Sequence, residues 1–450
     1  MWHGDPGTNT VEFVQLLFAD MFLALQLGTA SAMLDFAPPV TLPLACPQAL
    51  CRYGGTTTAD SFRALGGAAA HHLVGVVNRT VVHSADSGAT WAPVRGPATV
   101  GPGVPFALIP GNGSLLSVGN AAINASLLPA PIPYATGTTR GRWDVLPGGH
   151  AAAERVAHTF EAASLSWRLP REDLCLFSGY SGTPVAVVAP PAAAAAAAGA
   201  GVPAVPVPLL LKTMVLRHNC TAPPAGQGWG VLPNQTSIWL FESPDGGLNW
   251  SPRSEVASAA AAAGAEEGPN ENDIVVAADG SLLVVFRVDG GDGWPDHPHR
   301  PFMSTRSADV GLTWAAPAAL PDGVLSARPQ LLMLDARRGP LLLTGGRPHL
   351  MLWASADGTG RTWDAAYNLA GEHNARQPDA ALRFCDAFAN GTSAWLESTC
   401  YNSLQRVADD GAGRPRALVC YDRMGTESPV APAACQPALV NTFCMQISMA

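Results

Sequence analysis

Lysine is almost absent from this chain. Lys212 is the only one, so nearly all of the positive charge is arginine. Together with the alanine tracts, that bias reads as the product of a GC-rich coding sequence, so an arginine carries information here only through its position. Charge is sparse at 14% and nets −9, which offers no basic face to nucleic acid. No Cys-x-x-Cys pair occurs, so the nine cysteines do not suggest zinc; they fit an oxidising compartment, with at least one left over. Cys46 and Cys51 are close enough in sequence to close a small loop. Apolar runs are also scarce, and beyond residues 1–33 none is long enough to span a membrane. No metal or cofactor is expected.

Residues 1–33 read as a signal peptide, a disordered start or a buried helix. Phe13 to Leu27 is mostly apolar and Ala30-Ser31-Ala32 resembles a cleavage site, but Gln15, Asp20 and Gln26 interrupt the run and no basic residue precedes it. Asn-x-Ser/Thr sequons begin at Asn78, Asn112, Asn124, Asn219, Asn234, Asn249 and Asn390. They point to a glycosylated, secreted or lumenal protein. Residues 34–450 read as one domain, with Ala/Gly-rich inserts near 190–208 and 256–267 and a poorly periodic stretch at 127–170.

A short pattern recurs. Ser84-Ala85-Asp86-Ser87-Gly88-Ala89-Thr90-Trp91 and Ser307-Ala308-Asp309-Val310-Gly311-Leu312-Thr313-Trp314 share the form S-x-D-x-G-x-T-W. Ser243 to Trp250 repeats it with Asn249 for Thr, and Ser355 to Trp363 repeats it with one residue inserted. The chemistry is that of a turn: Asp accepts from backbone N–H groups, Gly takes a positive φ, and Trp offers a ring to the next layer. Repeated turns in a strand-rich chain predict a repeated β unit such as a propeller blade.

From Asn270 onward the pattern becomes regular. Ile274–Ala277 and Ser281–Phe286 read as a hairpin around Asp279-Gly280. Gln330–Leu334 with Leu341–Thr344, and Asn402–Val407 with Arg416–Tyr421, read as two more. Thr442–Ser448 reads as a strand that closes the ring and removes exposed edges. A hairpin returns the chain to the end where it began. Residues flanking each hairpin therefore share one end: Glu271 with Arg287, Arg328 with Arg347, and Tyr401 with Asp422.

The repeated octet resembles the Asp-box of the sialidase (neuraminidase) superfamily. That resemblance implies an all-β, six-bladed β-propeller with the boxes far from the catalytic face. The segments Glu271 to Arg287, Gly346-Arg347, and Cys400-Tyr401 to Tyr421-Asp422 are similar to those carrying the family's site. They imply Tyr401 as nucleophile and Glu271 as its base, with Arg287 and Arg347 binding substrate; the hairpin ends add Arg328 and Asp422 as substrate-binding candidates, Asp422 more readily orienting an arginine than acting on substrate. The expected activity is removal of a terminal sialic acid or related acidic sugar with retention. Several guanidinium groups match the carboxylate of such a sugar, and a neutral Tyr avoids the repulsion a carboxylate nucleophile would meet. The expected partners are acidic glycans.

The chain departs from the family in its N-terminal half. The Phe-Arg-Ile-Pro motif of the first clamp arginine is missing. In one frame Phe62-Arg63 stands there, making Arg63 a substrate-binding candidate and placing Asn78 near the acid position. In another, Phe106 to Pro110 stands there, with Asn120 near the acid. Asn cannot donate a proton as Asp can. A glycan-binding propeller that has lost its acid, or a structural one, therefore remains as an alternative.

Overall fold

The computed structural model describes residues 33–43, 46–47, 57–64, 72–77, 80–93, 106–108, 114–117, 139–146, 155–161, 166–167, 170–171, 173–178, 185–187, 209–218, 236–244, 249–265, 267–288, 300–321, 323–325, 327–335, 339–347, 349–392, 397–424, 435 and 439–450. Among these residues the strands form six sheets, I to VI in chain order, and the fold is all-β with two helices. Sheet I holds Thr57–Ala64, Leu73–Val77, Thr80–Ser84 and Ala92–Pro93. Sheet II holds Phe106–Leu108, Ser114–Ser117, Thr139–Leu146 and Arg155–Glu161. In sheet III, Leu174–Ser178 and Val185–Val187 both pair with Leu209–His218, which is followed by Thr236–Ser243 and Asn249–Ala257. Sheet IV holds Asn272–Val276, Leu282–Phe286, Met303–Ser307 and Ala318–Ala319. Sheet V holds Gln330–Met333, Leu341–Gly345, Met351–Ser355 and Ala365–Asn368. Sheet VI joins Ser403–Val407, Arg416–Arg423 and Leu439–Met449 to the N-terminal strand Leu34–Phe36.

The central strands are apolar without alternation because both faces are covered. All five residues of Leu282–Phe286 are buried. Successive side chains of a strand point to opposite faces. Leu282, Val284 and Phe286 accordingly pack with Ile238 and Leu240 of sheet III, and Leu283 and Val285 with Leu341 and Leu343 of sheet V. The same division continues: Leu342 packs with Leu404 and Val419 of sheet VI, whose Leu418 and Cys420 pack with Phe62 and Leu73 of sheet I. Sheets III, IV, V, VI and I are thus stacked face to face. Each fully buried Leu or Phe side chain contributes about 1.5–3 kcal/mol to that stacking.

The octets act as turns and as fasteners. In the first, Gly88 N–H donates to Ser84 Oγ (2.8 Å), Thr90 N–H to Asp86 Oδ1 (2.8 Å) and Thr90 Oγ1 to Asp86 Oδ2 (2.6 Å). The same bonds recur around Asp309 at 2.7, 2.9 and 2.6 Å. Gly88 and Gly311 take φ of 89° and 79°. In the longer copy Gly358 and Gly360 do the same, and Asp357 accepts from Thr359 N–H at 2.8 Å. Each described octet docks on the preceding sheet. Trp314 Nε1 donates to Ser254 Oγ of sheet III (2.9 Å), Ala278 N–H of sheet IV donates to Gly358 O (3.1 Å), and Gln446 Nε2 of sheet VI donates to Ser87 O (2.8 Å). The first octet therefore locks the first sheet to the last. In the Ser243 copy, Asp245 to Leu248 lie outside the described residues.

Several expectations change. The proline-rich start at 34–60 supplies Leu34–Phe36 and Val40–Thr41, which pair with Leu439–Met449, a closing strand longer than Thr442–Ser448. The aperiodic stretch 127–170 contains Thr139–Leu146 and Arg155–Glu161, which pair with each other. The segment read as an insert near 256–267 is the end of a strand and a tight turn, Ala259–Ala262, with Ala262 and Ala265 packed in the core of sheets III and IV. The insert near 190–208 lies outside the described residues, as do Cys51 and the sequons at Asn78, Asn112, Asn124, Asn219 and Asn234. Two helices follow sheet V: α1, Leu369–Arg376, capped by Asn368, and α2, Asp386–Ala389. They cover sheet VI through Leu369, Phe384 and Phe388, and His373 bonds Tyr421 OH at 3.0 Å. Disulfides join Cys385 to Cys435 and Cys420 to Cys444, while Cys400 is free and buried. No helix of the described residues is long and apolar enough to cross a membrane.

Candidate functional site

Sheet IV has two distinct ends. Val276, Leu282 and Ser307 form the row at its octet end, and Asn272, Phe286 and Met303 the row at the other. Antiparallel pairing runs on past that second row, with Arg287 N–H donating to Glu271 O (2.9 Å) and Asn270 N–H to Arg287 O (3.1 Å). Glu271 and Arg287 therefore emerge side by side, and Arg287 Nη1 donates to Glu271 Oε2 at 3.1 Å. Glu267 adds a second carboxylate, 3.7 Å from Arg287 Nε.

Sheet VI brings Tyr401 to the same place. Its hydroxyl donates to Glu271 Oε1, a contact between residues 130 apart in sequence. Arg347, which follows the second strand of sheet V, lies over the Tyr401 ring with Cζ 5.0 Å from the centroid. Its Nε and Nη2 both donate to Thr399 O, at 3.2 and 2.9 Å. Arg328 precedes the first strand of sheet V and is buried; burial lowers its guanidinium to about 10, against an opposing influence from Tyr401. Burial, and then the charge of Glu271, push the Tyr401 phenol well above its ordinary range, while Arg347 and Arg287 pull it down. Glu271, Arg287, Arg328 and Arg347 are buried, while Tyr401 and Glu267 are partly buried.

Non-glycine residues with positive φ occur here, as they do at Ser87 and Val310 of the octets. Ala327, Gly346 and Cys400 have φ of 103°, 90° and 58°, and each directly precedes a site residue: Arg328, Arg347 and Tyr401. A Cβ on Gly346 would stand 2.7 Å from His349 O, so only glycine fits before Arg347. A non-glycine residue in such a region costs about 1–3 kcal/mol and is held there by its surroundings.

Two sequence-based expectations change. Asp422 is fully buried, so it does not meet a substrate directly, and it reaches an arginine only through Thr399, whose carbonyl accepts from Arg347. Its oxygens accept from Ser398 Oγ (2.9 Å), Thr399 N–H (2.8 Å) and Thr399 Oγ1 (2.5 Å). Arg63 pairs with Val74, one row from the Leu73–Ser84 row that starts the first octet. It therefore lies toward the octet end of sheet I, away from Tyr401. The first strand of sheet I starts at the other end, with Thr57 opposite Val77, so Arg63 comes near its close and not before its start.

Other groups at the site end were not foreseen. In sheet III, Leu174 pairs with His218 and Arg217 with Thr236, away from the octet residue Ser243. Arg171 makes two 3.0 Å bonds to Asp173 and lies 3.3 Å from His218 Nδ1. Applied to Leu209–Leu216, the hairpin-end rule would have found Arg217 and His218. Ser398 and Thr399 carried no such signal, because their role is tertiary. Residues 289–299, which follow Arg287 and hold Asp292, Trp294, Asp296, His297 and His299, lie outside the described residues.

No protein-family model matches this chain, and no curated protein matches it. Solved structures resemble it distantly. A Dyadobacter fermentans protein of unknown function is 14% identical with a TM-score of 0.47, over 93% of this chain and 100% of that one. A Hadza microbial sialidase is 14% identical with a TM-score of 0.45, over 86% of this chain and 65% of the other. A Penicillium chrysogenum α-L-arabinanase complexed with arabinobiose is 10% identical with a TM-score of 0.43, over 91% and 98% of the two chains. Likenesses this distant carry no argument about activity.

Proposed function

We propose that this protein is a retaining exo-sialidase-like glycosidase of the sialidase superfamily, with the six sheets as blades of a β-propeller, secreted or lumenal and glycosylated. Its substrate class is a glycan ending in sialic acid or a related acidic sugar. The observation that carries the reading is the Tyr401 hydroxyl bonded to Glu271, beneath which Arg287, Arg328 and Arg347 come together from two sheets. A phenol is a weak nucleophile until a neighbouring base takes its proton. Glu271 stands in hydrogen-bond contact to do so, and its other oxygen accepts from Arg287 Nη1.

In this reading the arginines receive the sugar carboxylate and Tyr401 Oη attacks the anomeric carbon as its proton passes to Glu271. The bond to the aglycone breaks and a tyrosyl-glycoside forms. Water then attacks the same carbon, giving its proton to solvent, while Glu271 returns to the departing Tyr401 oxygen the proton it took, so configuration is retained over two inversions. The leaving oxygen needs a proton unless it departs as a stabilised phenolate, and general-acid help of that kind is worth about 10²–10⁴-fold. Asn78 and Asn120, the residues that fall at the acid position in the two frames, lie outside the described residues.

The test is to assay activated aryl sialosides and natural sialosides side by side on wild type and Tyr401→Phe. The expected outcome is turnover of the aryl substrate, little turnover of natural glycans, and loss of both in Tyr401→Phe. Efficient cleavage of natural sialosides would reveal an acid in the remainder of the chain. Binding without turnover of either substrate would favour the glycan-binding alternative, and neither would leave a structural propeller.

A further inference from the structure

The turn Ser398 to Cys400 uses its polar groups in an unusual way. Thr399 is the centre. Its N–H and hydroxyl donate to the two oxygens of Asp422 at 2.8 and 2.5 Å. Its carbonyl accepts both Nε and Nη2 of Arg347 at 3.2 and 2.9 Å. Its Oγ1 also accepts the Tyr401 N–H at 3.2 Å. Ser398 closes the figure, with Oγ donating to Asp422 Oδ1 at 2.9 Å and accepting from Cys400 N–H at 3.0 Å. One residue thus holds a guanidinium group through its carbonyl and the adjacent tyrosine through its hydroxyl.

The turn needs such restraint. Cys400, between Thr399 and Tyr401, sits at φ 58°, a region that favours glycine. The residue before Ser398 is strapped down as well: Glu397, itself fully buried, pairs with Arg423 at 3.0 Å and accepts from Cys385 N–H at 2.8 Å. Asp422 and Arg423, successive residues of one strand, therefore grip the whole turn from below. A second consequence concerns the guanidinium plane. With two N–H groups on one carbonyl and the Tyr401 ring against its face, Arg347 cannot rotate without Thr399 moving too.

We propose that Thr399, fixed by Asp422, is the positioning residue that sets the relation between the Tyr401 hydroxyl and the carboxylate-binding Arg347. This rests on the function proposed above. Thr399 touches neither substrate nor reacting atoms; it acts through the two residues that do. Reactions of bound groups are sensitive to displacements of about 1 Å, which cost on the order of 10²-fold. A single residue holding both groups would make nucleophile and carboxylate site shift together.

The experiment compares Thr399→Val, which removes the hydroxyl, with Thr399→Ser, which keeps it, in the full chain. Two readouts are taken. On an activated aryl sialoside, Thr399→Val should lower kcat and raise KM, each by roughly tenfold or more. Thr399→Ser should restore both to within about threefold of wild type. A valine variant with unchanged kcat and KM, or a serine variant as impaired as valine, would overturn the proposal. Amide hydrogen exchange at Tyr401 reports on the same geometry without substrate. Thr399→Val should speed it by roughly two- to tenfold, the worth of one hydrogen bond, and Thr399→Ser should not. If wild type turns over no sialoside, the functional reading fails by itself, and the exchange result alone decides whether Thr399 positions Tyr401. Equal protection in wild type and Thr399→Val would then refute it.

Discussion

The two ends of the sheets solve opposite problems with the same residue types. At the octet end, Asp309 is satisfied within its own turn: Thr313 supplies a hydroxyl and an N–H, and Ser307 a hydroxyl. Those bonds, the Thr313 hydroxyl foremost, hold its carboxyl well below the ordinary range although it is exposed. At the site end, Glu271 is satisfied by Arg287 and by a tyrosine 130 residues away. There burial dominates and drives Tyr401 in the direction that disfavours its charge. The octet bonds join residues close in sequence. The site exists only once sheets IV, V and VI are stacked. Positive-φ residues other than glycine occur at both ends, at Ser87 and Val310 as at Ala327 and Cys400, so it is satisfaction across sheets, not strain, that sets the site apart.

That contrast predicts that substitutions at the two ends separate activity from stability. The largest effect is expected for Glu271→Gln, which keeps the shape but removes the base. Turnover of an activated sialoside should fall about 10²–10⁴-fold with little change in melting temperature. Steady-state kinetics beside a thermal melt would check it, and equal losses in both would break the distinction.

Behind the site the two qualities should merge. Glu397 is fully buried and faces Arg423, itself only 5% exposed. Burial raises the Glu397 carboxyl, while Cys385 N–H and Arg423 oppose that shift. Glu397→Ala leaves a buried guanidinium uncompensated and should cost about 3–5 kcal/mol in denaturant unfolding. A loss below about 1 kcal/mol would mean that Arg423 finds other partners.

The smallest effect belongs to the octet end. Gly311 sits at φ 79°, and a Cβ there would stand 2.2 Å from Leu240 Cδ2 of sheet III. Gly311→Ala should cost about 1–2 kcal/mol from backbone conformation, plus whatever Leu240 cannot yield. KM and kcat should be unchanged. An activity loss larger than the stability loss explains would show that the octet end communicates with the site.

Much of this arrangement could be read from the sequence because it is local. Ser, Asp, Gly and Thr at fixed spacing specify the octet turn, and the three hairpins from Asn270 onward follow from apolar strands around Gly-containing turns. Hairpin ends then sufficed to place Glu271, Arg287, Arg328, Arg347 and Tyr401 at one end. Arg63 was misplaced because its strand begins at Thr57, which leaves Arg63 near the octet end, and composition does not mark that boundary. In Thr139–Leu146, Arg140, Arg142 and Asp144 alternate with Gly141, Trp143 and Val145, a period-two pattern set within an otherwise aperiodic stretch. Asp422 lies beside the cluster in sequence logic but points into the interior, where only the folded chain brings Ser398 and Thr399 to it.

The central claim is that Tyr401 attacks the sugar. A fluorinated sialosyl fluoride, whose glycosyl-enzyme forms quickly and hydrolyses slowly, tests it most directly. Incubation followed by proteolysis and mass spectrometry should find one sialosyl group on the peptide containing Tyr401, and none in Tyr401→Phe. An adduct on Glu271, or an unmodified protein that still turns over aryl sialosides, would contradict the account.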